Sequence, residues 1–165
     1  MMRPLRIMYV SGPVEMRSPL FSNEWRVSQN DTEMAHIRRR NYTSVVDLAA
    51  GGRAVMEPVA QGTVRALFSG TEVARITRET WLGRHWEITG HGFNYELISE
   101  ATPRHWRLSL ANGLVSLMKG GLGSYNRVKF DNQVAVPLSA LLLSWHVVAR
   151  PWEAAAEPRV FVPAP

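Results

Sequence analysis

The stretch VAVPLSALLLSWHVVA, residues 134–149, decides the fold of this chain. On a helix Ser139 and His146 fall close together and Ser144 falls well away from them, so no face is polar enough to meet water. A helix without a polar face needs apolar surroundings on every side. The 16 residues are also short for a bilayer, which takes about 20 apolar residues. The stretch therefore predicts a buried core helix rather than a transmembrane span.

The surroundings of this helix follow from its neighbours in the sequence. We expect the helix to run from about residue 133 to 149, with Asp131 or Asn132 as its cap and Pro137 in its first turn. In a mainly β protein, the lumen of a barrel with eleven or twelve strands is wide enough to enclose one helix.

Short alternating runs separated by turn residues fill most of the remaining chain. Examples are GTVRALF at 62–68 and HWRLSL at 105–110, and the runs recur roughly every 8–12 residues, as in an antiparallel sandwich or barrel. About eleven runs follow Trp25, and either RIMYV at 6–10 or RVFV at 159–162 supplies a twelfth. The pattern predicts a mainly β fold, an antiparallel barrel of about 12 strands around the C-terminal helix.

An internal repeat supports a barrel built from similar hairpins. TEMAHIRRRN at 32–41 and TEVARITRET at 71–80 lie 39 positions apart, and in each the Ala-x-Ile pair is expected to point inward. A weaker third copy, GLVSLMK at 113–119, places Val115 and Leu117 where Ala and Ile stand. A period near 40 also occurs in propeller blades, but three copies in 165 residues fall short of a propeller. Repeated hairpins within one barrel fit better.

These features together resemble a known family. The repeated G-x-x-V-A-x-I-x-R hairpins and the terminal LSALLLSWHVVARPW helix are similar to the tubby C-terminal-like group, over about residues 25–152. That group includes the phospholipid scramblases and the LURP-one-related proteins, and the resemblance implies a twelve-stranded barrel around a hydrophobic C-terminal helix. Tubby-type members bind phosphoinositide headgroups and scramblases act at membranes. No stretch here matches the tubby phosphoinositide motif or the scramblase calcium segment, so no functional residue is carried over.

The resulting domain organisation has one folded unit. Residues 1–24 form an N-terminal segment with at most one edge strand, residues 25–150 form the barrel with its helix at about 133–149, and residues 151–165 form a Pro/Ala-rich tail.

The composition of the chain limits the classes of partner and of chemical site that we expect. The net charge of +5 and the pI of about 10.2 favour acidic partners, namely anionic lipid or another acidic macromolecule, with nucleic acid ranked below lipid. The absence of cysteine excludes disulfides, thiolate metal sites and a cysteine nucleophile, and fits a cytoplasmic protein. A peripheral location at the membrane is the alternative.

Catalytic patterns are weak throughout. The five histidines and the scattered single carboxylates follow no ligand or acid–base spacing, and G-x-S-x-G is absent. KGGLGS at 119–124 lacks the ending of a phosphate-binding loop. We therefore expect no enzyme, no cofactor and no metal site, and interpret His146 as a buried, hydrogen-bonded side chain.

Arginines at equivalent points of the two repeats form the candidate binding site. The candidate basic face consists of Arg38, Arg39, Arg40, Arg75, Arg78 and Arg84. Trp81 and Trp86 lie among these arginines, as at a lipid headgroup layer or on stacked bases. The competing interpretation is plain alternation, with Trp inward and Arg outward. The sequence favours a non-enzymatic binding or scaffold protein, with a peripheral membrane protein and a nucleic-acid-binding protein as alternatives.

Overall fold

The structure, a computed structural model, describes residues 8–19, 23–102, 104–110, 113–120 and 126–156, with side chains to residue 149. The first six strands are β1 (Tyr9–Arg17), β2 (Glu24–Gln29), β3 (Thr32–Arg40), β4 (Thr43–Leu48), β5 (Arg53–Ala60) and β6 (Thr63–Phe68). The next six are β7 (Thr71–Arg78), β8 (His85–Gly90), β9 (Phe93–Ser99), β10 (His105–Leu110), β11 (Gly113–Gly120) and β12 (Arg127–Pro137), and α1 is Leu138–Ala156.

Each strand pairs antiparallel with its neighbours in the sequence, and β1 pairs with β12 to close the barrel. The prediction of an antiparallel barrel of about 12 strands around a C-terminal helix is confirmed. The twelfth strand is β1, which takes Tyr9 and Val10 from the RIMYV run. The RVFV run lies outside the described residues. Residues 9–17 were expected to give at most an edge strand, whereas they close the barrel.

The helix α1 fills the lumen. Leu141, Leu143 and Trp145 have no exposed surface, and Leu142 is only 3% exposed. Inward side chains of the strands, such as Ile37 and Ile88, complete one continuous core around it. The prediction that the helix is buried on all sides is therefore confirmed for its first three turns.

The start of the helix was predicted too early. Asp131 and Asn132 do not cap α1, because they belong to β12 and pair with Pro13 and Gly12. The strand continues to Pro137, and the helix begins directly after it. The first helical amide, that of Leu138, donates to the Met8 carbonyl at 2.7 Å, so the residue just before β1 supplies the partner that a capping side chain usually gives.

The repeat has a structural basis in a shared hairpin. The turns Asn30–Asp31 and Ser69–Gly70 both have positive φ angles, as type I′ turns require. Behind each turn the register shifts by one residue, so that a β-bulge separates the turn from the inward Ala-x-Ile pair. Ala35, Ile37, Ala74 and Ile76 are all buried, as predicted.

The third copy follows the same geometry, with its inward residues at the same distance from the turn as in the first two. Its hairpin has the same shift beside Leu108, and the buried residues at the repeat positions are Ser116 and Met118. The assignment of Val115 and Leu117 to those positions was one residue too early. Val115 is buried at the bulge, and Leu117 lies on the outer side.

Candidate functional site

The meander gives the barrel two chemically different ends. The end that carries the loops after β3, β5, β7 and β9, and to which α1 runs, is called the basic end. Exposed arginines Arg40, Arg78 and Arg84 lie in or beside its loops. The opposite end, which carries the turns after β2, β6 and β8, holds Asp31 and Glu33 beside one turn and Glu72 beside another. Glu79 and Glu100 also lie at the basic end and Arg53 lies at the opposite end, so the basic end carries an excess of positive charge rather than all of it.

The structure brings only part of the predicted basic face together. Arg40, Arg78 and Arg84 are exposed at the basic end and form no ion pair within the described ranges. β3 and β7 run in the same direction with three strands between them, so Arg40 and Arg78 share an end but lie apart around the barrel.

Two of the predicted arginines already form ion pairs with carboxylates. Arg38 lies on the outer wall with its Nη2 atom 3.4 Å from Asp47 Oδ2, and Arg75 lies on the middle of β7 with its Nη2 atom 2.8 Å from Glu72 Oε1. A hydrogen bond from Arg53, with smaller effects of the Arg38 and His36 charges, lowers the pKa of Asp47 in spite of partial burial of its carboxyl. Neither Arg38 nor Arg75 is available to an acidic ligand without breaking an existing pair.

Arg39 was predicted on the outer basic face, but it lies inside the barrel. Its side chain points into the barrel and is 4% exposed, because Ala35, Ile37 and Arg39 share the inward side of β3. Arg39 Nη2 donates to the His146 carbonyl at 3.0 Å, and the guanidinium lies 5.5 Å from the centre of the Trp145 ring. Arg39 therefore joins β3 to the helix and cannot belong to an outer basic face.

The same inward cluster contains a serine–histidine pair. Ser44 Oγ and His146 Nδ1 share a hydrogen bond of 2.7 Å, which confirms the interpretation of His146 as buried and hydrogen-bonded. That distance suits a nucleophile and its base. However, Ser44 has no exposed surface and His146 is 3% exposed, so no substrate reaches them. The pair connects β4 to the helix.

In the part of the chain that the structure describes, no three or more His, Cys, Asp or Glu residues come together as a metal site would require. Over the same residues, no helix has the length and apolar character needed to cross a membrane.

The loop between β7 and β8 presents two apolar side chains to solvent. Trp81 is 75% exposed and Leu82 is 78% exposed. The loop is held by internal hydrogen bonds, from the Gly83 amide to the Thr80 carbonyl at 3.0 Å and from the Arg84 amide to Thr80 Oγ1 at 3.1 Å. A defined turn therefore holds Trp81 and Leu82 at its tip.

Arg78 is positioned beside this loop by two glycines. Its amide donates to the Gly62 carbonyl at 2.7 Å, and a Cβ added to Gly62 would lie 3.3 Å from Arg78 Cβ. Gly62 also has a φ of +77°, which L residues rarely adopt. On the other side, a Cβ on Gly83 would lie 3.8 Å from Arg78 Cδ. The arginine thus lies between two tight turns at the mouth of the barrel.

We call Arg40, Arg78, Arg84, Tyr42, Trp81 and Leu82 the basic rim. Tyr42, in the loop after β3, is 53% exposed. The sequence placed Trp81 among the arginines, as at a lipid headgroup layer or on stacked bases, with an inward tryptophan as the competing interpretation, and it did not single out Leu82. The available signal was the position of Trp81-Leu82 between Thr80 and Gly83, in a turn rather than in a strand.

No protein-family model, no curated protein and no solved structure matches this chain. The resemblance to the tubby C-terminal-like group therefore stays a prediction. The case for a function rests on the geometry of the barrel ends and of its outer wall.

Proposed function

We propose that the protein is a non-enzymatic binding module, of the kind that the tubby-like resemblance implies, and that its basic rim docks on an anionic lipid bilayer. One observation carries the proposal: unpaired arginines and solvent-exposed Trp81 and Leu82 occupy loops at the same end of the barrel. Tryptophan prefers the interface between headgroups and acyl chains, and arginine binds the phosphates above it.

The expected affinity is modest. A basic residue close to an anionic membrane contributes about 1 kcal/mol, so the three rim arginines contribute about 3 kcal/mol. Transfer of Trp81 and Leu82 out of water contributes about 1.5–3 kcal/mol each if burial is complete, and less at an interface. Association costs offset part of this sum. Binding should therefore be reversible and sensitive to salt.

The distribution of charge supports docking by this end. With carboxylates beside the turns of the opposite end, an anionic surface attracts the basic end and repels the other, which orients the barrel before contact. A peripheral location at a membrane is the location that this proposal implies.

The test is flotation of the protein with liposomes of phosphatidylcholine alone and of phosphatidylcholine with phosphatidylserine. The parent should float with the anionic liposomes only, and less so at high salt. The rim variant Arg78→Glu/Arg84→Glu should stay in solution, because both rim charges become repulsive. Trp81→Ser/Leu82→Ser should float more weakly, since its charges remain but its apolar contact is lost.

A charge-matched control separates the rim from net charge. The wall variant Lys119→Glu/Lys129→Glu changes the net charge by the same amount, but its residues point outward from β11 and β12. It should float like the parent. If the rim variant floats as well as the parent, the rim does not bind lipid and the proposal is wrong.

A further inference from the structure

A second basic surface lies on the outer wall of the barrel, around the closure of the sheet. We call it the wall patch, and it consists of Arg17, Arg26, Lys119, Arg127 and Lys129. All five belong to the outward sides of β1, β2, β11 and β12. Arg17 pairs across strands with both Arg26 and Arg127, and Lys119 pairs with Lys129. Like charges face each other in these three cross-strand pairs, while Lys129 faces Glu15 on its other side.

Such like-charged pairs lower the stability of the folded sheet. Side chains directly opposite each other on a sheet lie about 5 Å apart, and like charges at that distance destabilise the pairing. One other pair of opposed arginines in this barrel is compensated, whereas in the Glu87–Glu96 pair of β8 and β9 only Glu96 has a basic neighbour in the described part of the chain, His85 at 3.5 Å. In the Arg65–Arg75 pair of β6 and β7, Arg65 lies 2.7 Å from Glu57 and Arg75 lies 2.8 Å from Glu72. By contrast, Arg26, Lys119 and Lys129 have no ion pair among the residues that the structure describes.

Glu15 is the carboxylate at the centre of the patch, and it forms ion pairs with two arginines. Its Oε1 atom lies 2.7 Å from Arg17 Nη2 and 3.1 Å from Arg127 Nε. Burial raises the pKa of Glu15, but the hydrogen bonds and charges of Arg127 and Arg17 outweigh burial and leave the pKa below its usual value. Glu15 therefore stays ionised and holds both guanidinium groups in place. Exposed Glu24 and Asp131 lie two residues along the strands from Arg26 and Lys129, so five positive charges stand against three carboxylates and the patch remains basic.

We propose that the wall patch binds the phosphodiester backbone of a nucleic-acid duplex. Neighbouring strands lie about 4.8 Å apart and residues i and i+2 about 6.7 Å apart, so four strands spread the five cations over about 14 by 7 Å. A duplex carries one negative charge per about 1.7 Å of its axis, and several phosphates fall within such an area. Contacts to phosphates alone fix position without reading sequence, so binding is independent of sequence.

The chemistry of the patch excludes the other ligand classes. A protein partner would need a buried apolar or aromatic anchor, and the seven outward positions formed by the five cations, Glu15 and Ser28 offer none. A small anion would need a cleft, and the nearest hollow, about 190 Å³, is lined by Glu15 and Asp31 as well as Lys129. β1 ends and β12 begins at the basic end, so Arg17 and Arg127 lie near a bilayer docked on the rim, and the rim and wall variants are compared in both assays to separate lipid from duplex.

The test measures binding of a fluorescent DNA duplex, and of an RNA duplex of the same length, over a range of salt concentrations. The parent should bind at low salt, with log affinity falling against log salt at a slope of about −3.6 to −4.5 for four or five phosphate contacts. The wall variant should lower the affinity at least about tenfold and reduce the slope by about 2, one for each lost contact. Glu15→Gln should raise the affinity, because it removes the central negative charge. Preference for one duplex tells which nucleic acid is bound.

The thermal stability of the single variant Lys119→Glu is a second readout. It distinguishes a role of the wall patch in binding from a role in the stability of the fold. The variant turns the Lys119–Lys129 pair into an opposite-charge pair, so its Tm should rise while its duplex affinity falls. The rim variant Arg78→Glu/Arg84→Glu, with the same change in net charge as the wall variant, should bind duplex like the parent. The proposal is overturned if the parent fails to bind either duplex at low salt, or if the rim and wall variants lose duplex affinity equally. It is also overturned if the wall variant loses only liposome binding.

Discussion

Two adjacent arginines show how one residue position decides a role. Arg39 points inward on β3 and Arg40 points outward, because successive side chains of a strand alternate between its two sides. Arg39 donates to the helix backbone and faces Trp145, whereas Arg40 is solvated at the basic end. The pair provides matched variants that share chemistry and differ only in environment.

We expect Arg39→Ala to destabilise the fold and Arg40→Ala to leave it intact. Loss of a buried charge-assisted hydrogen bond and of a cation–π contact should cost about 2–4 kcal/mol, which is roughly 5–15 °C in Tm for a chain of this size. Arg40→Ala should stay within about 0.5 kcal/mol. Thermal melts of both variants check this, with anionic-liposome flotation as the second readout. Equal melts for the two variants would contradict the buried role of Arg39.

Glu15 gives the fold a dependence on acid pH. Its folded pKa lies below the usual 4.5, so its contribution to stability is complete above that pH and is lost as the pH falls through the folded value. Glu15→Gln should therefore be less stable than the parent at neutral pH, by up to about 1 kcal/mol, and equally stable in strong acid. Urea midpoints at a series of pH values measure the difference. A difference that grows toward low pH would show the sign to be wrong.

Sequence reasoning located part of the site and missed the rest for identifiable reasons. It found the arginine clusters, because Arg78 and Arg40 end equivalent repeat strands. It did not separate Arg39 from Arg40, although the inward Ala35-x-Ile37 pair fixes the phase of the strand and puts Arg39 on the same side. The wall patch escaped entirely, because Arg17, Lys119 and Lys129 are far apart in the sequence and meet only through barrel closure.

At the scale of elements, the helix is the internal support of the barrel. Its side chains from Leu138 to Ala149 are nearly all buried, and this could be read from the sequence because an apolar helix without a polar face has no other stable place. Its start could not be read, since residues 133–137 suit either a strand or a helix. Partners supplied by β1 decided the matter.

Loss of the helix should collapse the whole barrel. A chain ending at Pro137 keeps all twelve strands but leaves the lumen empty, and truncating one buried Leu to Ala already costs about 2–5 kcal/mol. Total stability is usually about 5–15 kcal/mol. The truncated chain should show no cooperative melt, and Leu143→Ala should melt below the parent. A folded, soluble fragment would show that the barrel does not depend on α1.

The third copy of the repeat shows where the alternation of apolar residues predicts the wrong inward positions. In the first two copies the alanine and isoleucine reveal the inward phase by their apolar character. In the third, Ser116 takes the inward position while Val115 and Leu117 beside it are apolar, so apolar character indicates the wrong phase, although the bulge itself is shared by all three copies. No count of alternating residues identifies a bulge in advance.

At the scale of the whole molecule, closure of the sheet depends on β1. On one side β1 pairs with β12 along most of its length, and on the other only three residue pairs join it to β2. Gln29 reinforces the unpaired part, because its Nε2 atom donates to the Ser11 carbonyl at 2.5 Å. Val14 and Met16 place β1 in the core.

Removal of residues 1–18 should therefore open the barrel rather than trim a terminal segment. The free edges of β2 and β12 would expose unpaired backbone groups, which are templates for aggregation. We expect a chain starting at residue 19 to form soluble aggregates, measured by light scattering, where the parent does not. A monodisperse, cooperatively folding chain would show that closure by β1 is dispensable.

The order in which a ribosome makes these elements has a consequence for the cell. The partners that join β1 to β12 are 110 to 128 residues apart, and α1 follows β12. At about 5–20 residues per second, β1 waits roughly 5–25 seconds for its second neighbour. During that interval the nascent sheet is open and its inner surface is wet. Chaperones that shield apolar surface during translation therefore have several seconds in which to bind the unfinished barrel. Messages truncated before α1 would yield chains that cannot complete the core and are degraded by proteases.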